Sequence, residues 1–149
     1  MKSYGFTLLE VVVLVTIIAI IGSMAMTRMP SLEFFKSYGF SDVVLSDINL
    51  TRVLSITQNQ RYRIVIGASS YQIQDQNGSA FLNPETNNAS VSYPAGFSVT
   101  PTTTIVFNSL GQPYSADGIT PLSSTLNITI TSLGVSNVIT ITPQTGLIR

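Results

Sequence analysis

The chain has 149 residues, with seven Lys/Arg against seven Asp/Glu and neither Cys nor His. It therefore has no disulfide, thiol nucleophile or Cys metal site, and it lacks both the commonest general base and the commonest transition-metal ligand. Charged residues make up only 9% and the net charge is zero, which leaves no electrostatic footprint for nucleic acid.

In chain order, Met1-Lys2-Ser3-Tyr4 is followed by Gly5-Phe6-Thr7-Leu8-Leu9-Glu10 and an apolar run to Met26. From Phe6 to Met26, Glu10 is the only charged residue. As a helix rising 1.5 Å per residue, that run reaches roughly 30 Å, the thickness of a bilayer's hydrocarbon core. Glu10 is its anomaly. A carboxylate inside a membrane segment costs a few kcal/mol, about 3 on insertion scales, and needs a partner or a route to the headgroups. Read alone, it fits either. Lys2 is the only positive charge before the run, and a positive flank stays cytoplasmic, placing the rest of the chain outside. An ordinary secretory signal is the competing reading, with Gly22-Ser23-Met24-Ala25 as a loose cleavage site.

Pro30 is expected to interrupt or kink the helix. The aromatics Phe34, Phe35, Tyr38 and Phe40 suit either an interfacial belt or a staple onto the following domain, and the staple is preferred for Phe35 and Phe40. Ser41 to Asn59 reads as a second helix, with Ser41 as N-cap and Asp42 in the first turn. Val43, Val44, Ile48, Leu50 and Leu54 form its expected apolar face, and Asp47, Asn49, Arg52 and Gln58 are expected to point away.

From Arg61 the period changes to two. Arg61–Ile66 and Tyr71–Asp75 predict a hairpin, with further strands at Val91–Tyr93, Phe97–Thr100, Thr104–Asn108, Leu126–Thr131 and Val138–Thr142. Turns are expected at Asn77-Gly78, at 108–113 and at Asp117-Gly118, and a polar loop at 83–89. Asp75, Glu85 and Asp117 are the only acids after Asp47, and turn chemistry explains them better than paired-carboxylate catalysis. Asp75-Gln-Asn-Gly lacks the spaced ligands of a calcium loop. Arg61 and Arg63 alternate onto one strand face, which reads first as a solvated edge and second as a contact for DNA or a partner. The expectation is no enzyme, no catalytic residue, no cofactor and no metal.

Gly5-Phe6-Thr7-Leu8-Leu9-Glu10 with its apolar run resembles the processing signal of type IV prepilins and type II secretion pseudopilins. The resemblance implies cleavage by a prepilin peptidase between Gly5 and Phe6, N-methylation of Phe6 and a role in assembly and register for Glu10, the fifth residue of the mature chain. The freed α-amine, with a reference pKa of roughly 8, would be cationic at neutral pH. It lies one helical turn from Glu10, about 6 Å along the axis. The segments Ile105–Pro113 and Ile139–Arg149, with Phe34-Phe35 and Gly39-Phe40, resemble H-type pseudopilins and the C-type minor pilins of mannose-sensitive haemagglutinin pili. Departures from the family are the missing C-terminal disulfide loop, a Pro at 30 with Thr27 in the place where many members carry Pro, and the absence of clustered C-terminal arginines.

The implied fold is α+β: a long N-terminal helix, half membrane-spanning and half amphipathic, on an antiparallel β-sheet or β-sandwich domain. The implied divisions are a leader at 1–5, a transmembrane or fibre-core helix at 6–29, a soluble helical segment at 30–60 and a β domain at 61–149. The implied partners are other pilins or pseudopilins through the N-terminal helix, the peptidase/methyltransferase, the inner membrane and the fibre assembly machinery. Nucleic acid is not an expected partner. The implied location is the inner membrane with the C-terminal domain in the periplasm, then a periplasmic pseudopilus or a surface pilus. The implied function is a minor pilin or pseudopilin that builds, primes or caps a fibre. A surface adhesin or DNA-binding tip pilin, and a secreted binding module with an ordinary signal peptide, are the alternatives.

Overall fold

The computed structural model describes residues 7–26, 32–83, 87–132 and 134–149. The chain divides into two compact units, Met1–Leu32 and Glu33–Arg149. In the first, helix α1 covers Leu8–Met26. Thr7 caps it: the Glu10 N–H donates to Thr7 Oγ1 at 3.3 Å and to the Thr7 carbonyl at 3.1 Å. Thr-Leu-Leu-Glu is the spacing of a capping box, and Glu10 in the first turn also suits the positive end of the helix dipole. The hydroxyls within the run turn back on their own helix, Thr16 to the Val12 carbonyl (2.7 Å) and Ser23 to the Ile20 carbonyl (2.8 Å). Among the described residues, no helix is long and apolar enough to cross a membrane. The 19 residues of α1 extend about 28 Å, against a requirement of about 20 residues and 30 Å. The expected span began at Phe6, which lies outside the described residues, as do Gly5 and the kink expected at Pro30.

In the second unit, helix α2 (Leu32–Thr57) precedes eight strands. They are β1 (Tyr62–Ile66), β2 (Ser70–Gln74), β3 (Val91–Ser92), β4 (Phe97–Thr100), β5 (Thr103–Phe107), β6 (Pro113–Tyr114), β7 (Leu126–Ser132) and β8 (Val135–Ile141). They form two antiparallel sheets, ordered β3-β2-β1-β5-β6 and β4-β7-β8. The expected α+β architecture, a helix with antiparallel sheets, is therefore present. Period-two alternation sets the register. Ile64 lies opposite both Ile73 and Ile105, and in the smaller sheet Ile128 faces Ile139 while Val99 faces Ile130. These residues join Phe40, Val44 and Ile48 of α2 in one buried cluster.

Several sequence expectations are corrected here. The second helix begins at Leu32 rather than at Ser41, because the Ser41 hydroxyl donates to the Ser37 carbonyl one turn back (2.8 Å) instead of capping an end. The buried stripe runs Ser37, Ser41, Val44, Ile48, Thr51, Ser55, a strict three-to-four spacing whose small residues let the helix lie close to the sheets. Val43 falls off that stripe and is 47% exposed, whereas Asp47, expected to face out, is 7% exposed. Leu50 and Leu54 sit at the rim of the core. Phe40 does staple the helix, edge-on to Tyr93 and Phe97 with ring centroids 5.9 and 5.2 Å away. Phe35 is 62% exposed.

Strand β6 lies where a turn was expected. Pro113 has no N–H to give a ladder, and β6 is the edge of its sheet, the position that tolerates proline. The turn before it is built by Asn108, whose Oδ1 accepts from the N–H groups of Leu110 (3.0 Å) and Gln112 (2.9 Å). Strand β8 starts three residues earlier than expected, paired with β7 from Val135 onward. The chain then returns along β8, where Thr140 and Arg149 exchange backbone hydrogen bonds of 2.7 and 3.1 Å.

Candidate functional site

The first unit carries the residues that the sequence singled out. Gly5 and Phe6, the expected cleavage and methylation positions, lie outside the described residues. Glu10 is described: it is exposed, in the first turn of α1, with its backbone N–H held by Thr7. Around and beyond it the described side chains of α1 are exposed. Its large apolar side chains are exposed from 48% at Val13 to 84% at Leu8. A helix that is apolar on every face is stable only when lipid or other helices cover it.

Among the described residues, no three of His, Cys, Asp and Glu are grouped to hold a metal. Asp75 and Asp117 are brought to separate turns, as the turn reading expected. Asp75 Oδ1 accepts from the N–H groups of Asn77 and Ser79, both at 2.8 Å. Asp117 accepts the Thr120 hydroxyl (2.7 Å) and the N–H groups of Ile119 and Thr120 (2.9 and 3.0 Å). The Thr120 hydroxyl, then the backbone donors, hold its carboxyl below the usual carboxylate range. Glu85 lies outside the described residues.

Three polar arrangements were not legible in the sequence. The Tyr71 hydroxyl donates to Asp47 Oδ2 at 2.6 Å inside the core, and burial, then the Asp47 carboxylate, pushes its pKa far up. Asn137 on β8 donates to the hydroxyls of Ser37 (3.2 Å) and Ser41 (3.0 Å) on α2. Arg52, expected to point to solvent, instead reaches across two turns, to the carbonyls of Gly111 and Thr145, both at 3.2 Å. There Gly146, at φ 61°, presses on the Gly111 carbonyl so closely that a Cβ could not fit. The only sequence signal was Tyr71 itself, placed by alternation on the inward face, where a buried hydroxyl calls for a partner.

Arg61 and Arg63 do share a face, on the side of β1 away from Ile64 and Ile66. Arg61 Nη1 donates to the Gly118 carbonyl (2.6 Å) and its guanidinium lies 5.7 Å from the centre of the Tyr114 ring. Arg63 Nη2 donates to the Gln76 carbonyl at 2.8 Å.

No protein-family model matches the sequence, and no curated protein sequence matches it. Among solved structures, the chain is similar to the type IV minor pilin FimU of Pseudomonas aeruginosa strain PAO1, with a TM-score of 0.52 and 12% identity. The likeness covers 72% of this chain and 86% of that one. At that identity it shows a fold, and the fold is that of a type IV minor pilin.

Proposed function

We propose that the chain is a structural subunit, a minor pilin or pseudopilin, of a type IV pilus-like fibre. One observation carries the reading. An apolar helix whose described large side chains are exposed, opened by a Thr cap with Glu10 in its first turn, precedes a unit of pilin fold. Such a helix requires lipid before assembly and other helices after it. In the order of events, a prepilin peptidase removes residues 1–5, the new N-terminus at Phe6 is methylated, and residues 6–29 hold the subunit in the inner membrane with residues 30–149 in the periplasm. The helix then enters the fibre core against other pilins. In that apolar bundle an unpaired charge is strongly disfavoured, so Glu10 of one subunit meets the α-amine of a neighbour and fixes the axial step. Within this class, the short C-terminal motifs favour a priming or tip position, as in H-type pseudopilins and C-type minor pilins of mannose-sensitive haemagglutinin pili.

Mass spectrometry of the mature N-terminus tests the processing. The expected species begins at methyl-Phe6; a retained Met1, or a start near Ala25–Arg28, refutes the proposal. Glu10→Ala tests the assembly step. Cleavage should be unchanged and incorporation into fibres reduced about tenfold or more, since the lost pairing of a buried charge is worth several kcal/mol. Normal incorporation would refute the role of Glu10.

A further inference from the structure

The outer face of the larger sheet holds a polar trough that the fibre reading does not use. Arg61 and Arg63 project from it two residues apart, a step of about 6.8 Å along the strand. Between Arg63, Asn77 and the 116–118 turn lies an open hollow of about 370 Å³. A second, of about 330 Å³, adjoins it and is lined by Asn59 and Asn108. Arg61 and Gln76 belong to the walls of both, so the two lie side by side along one trough face.

Its walls are fixed. The 115–120 turn is closed by backbone bonds from Ser115 to Thr120 (2.9 Å) and from Gly118 to Ser115 (2.9 Å). Gly118 lies over Val106, which is buried although it sits on the outer face opposite Arg63. Each guanidinium has five N–H donors. One from Arg61 is engaged by Gly118 and one from Arg63 by Gln76, both through neutral carbonyls, so neither of these bonds pairs the head with an opposite charge. Asp117 also lines the trough, but its oxygens are turned into its own turn by Thr120 and Ile119.

We propose that this trough binds an acidic glycan, a chain of sugars bearing carboxylates. Two guanidiniums supply the fork geometry for carboxylates. The side-chain amides of Asn59, Gln76 and Asn77 each offer donors and an acceptor, the pairing that sugar hydroxyls need, whereas that of Asn108 is engaged in its own turn. A single-stranded nucleic acid fits less well. Such sites combine a run of cations with bare aromatic faces for bases, whereas the Tyr114 ring near the trough is already taken by Arg61. The inference stands on the second unit alone and does not depend on processing or fibre assembly.

Titration of fluorescent oligogalacturonate into the full chain in detergent micelles, read by anisotropy, tests it. Saturable binding is expected. Arg63→Gln should weaken it about tenfold or more, the effect of losing a charge-assisted hydrogen bond, while Arg149→Gln, away from the trough, should change it by less than about twofold. Arg63→Lys, which keeps the charge but not the fork, should fall between them. Backbone NMR shifts of the wild-type chain on adding the oligomer should centre on Arg63, Gln76 and Asn77, which gives a readout even if a variant does not fold. Absence of saturable binding, equal binding by a neutral galactan, tighter binding by oligothymidylate of matched charge, or shifts centred elsewhere would each overturn the proposal.

Discussion

Replacing Tyr71 by Phe isolates one buried oxygen. The ring keeps its packing, including the contact with Tyr93 at 6.3 Å, and only the donor to Asp47 is lost. Both partners are buried, Tyr71 at 2% exposure and Asp47 at 7%, and the bond is short, at 2.6 Å. A hydrogen bond to a charged group contributes about 1.5–3 kcal/mol. At roughly 4 °C per kcal/mol for a domain of this size, the melting temperature should drop by about 6–12 °C. Urea and thermal unfolding of the full chain in detergent, followed by far-ultraviolet circular dichroism, measure this. The pH dependence adds a second test with a fixed sign. The fold raises the Tyr71 pKa, so the neutral phenol is favoured in the folded state. Its contribution is complete below the unfolded value of about 10 and is lost as pH rises beyond it. Wild type should therefore lose stability above about pH 10 more steeply than Tyr71→Phe. Some alkaline loss should persist in the variant, because burial also raises the Tyr93 pKa. A cost below about 0.5 kcal/mol at neutral pH, or parallel alkaline curves, would refute the assignment of this pair as a buried tie between helix and sheet.

Three further substitutions probe the turns. Gly146→Ala should cost about 3 kcal/mol or more, because positive φ and collision with the Gly111 carbonyl act together. Gly78→Ala, also at positive φ (84°) but with nothing within 4 Å of the added Cβ, should cost only about 1–2 kcal/mol; equal values in chemical denaturation would show that the close approach at Gly146 is unimportant. Asp117→Asn should flatten the acid limb of the melting curve. The lowered carboxyl stabilises the fold above its ordinary value of 3.8, and that contribution is lost as pH falls through the lower folded value; the measurement is melting temperature against pH, and an unchanged acid limb would count against the Thr120 contact.

Strands were readable wherever isoleucine alternated, as at Arg61–Ile66 and Leu126–Thr131, because one face of each is committed to the core. Alternation could not find β6, which is two residues long and begins with a proline. The start of α2 was hidden for a different reason. Ser37 and Ser41 look like cap and loop residues, yet both are buried against Asn137, about a hundred positions away in the chain. The same distance problem concealed Arg52, whose acceptors lie 59 and 93 positions further on. At the candidate site the sequence supplied the expectation, and Gly5 and Phe6 lie outside the described residues. The Gly5–Glu10 motif carried the reading from the sequence alone, and the fold added the cap by Thr7. Arg61 and Arg63 could be placed on one face by counting, but the turn that walls their trough could not.

The hydroxyls of Thr16 and Ser23 have a bearing on how a subunit could change surroundings. Both spend their protons on carbonyls one turn earlier, so neither needs a partner from outside. Moving α1 from fatty chains to a sheath of similar helices would then swap one hydrocarbon contact for another, with little net drive in either direction. On the proposed reading, Glu10 is the charged group among the described residues of α1 that would distinguish the two environments, which makes its ionic contact the natural lever for driving the exchange forward or letting it run back.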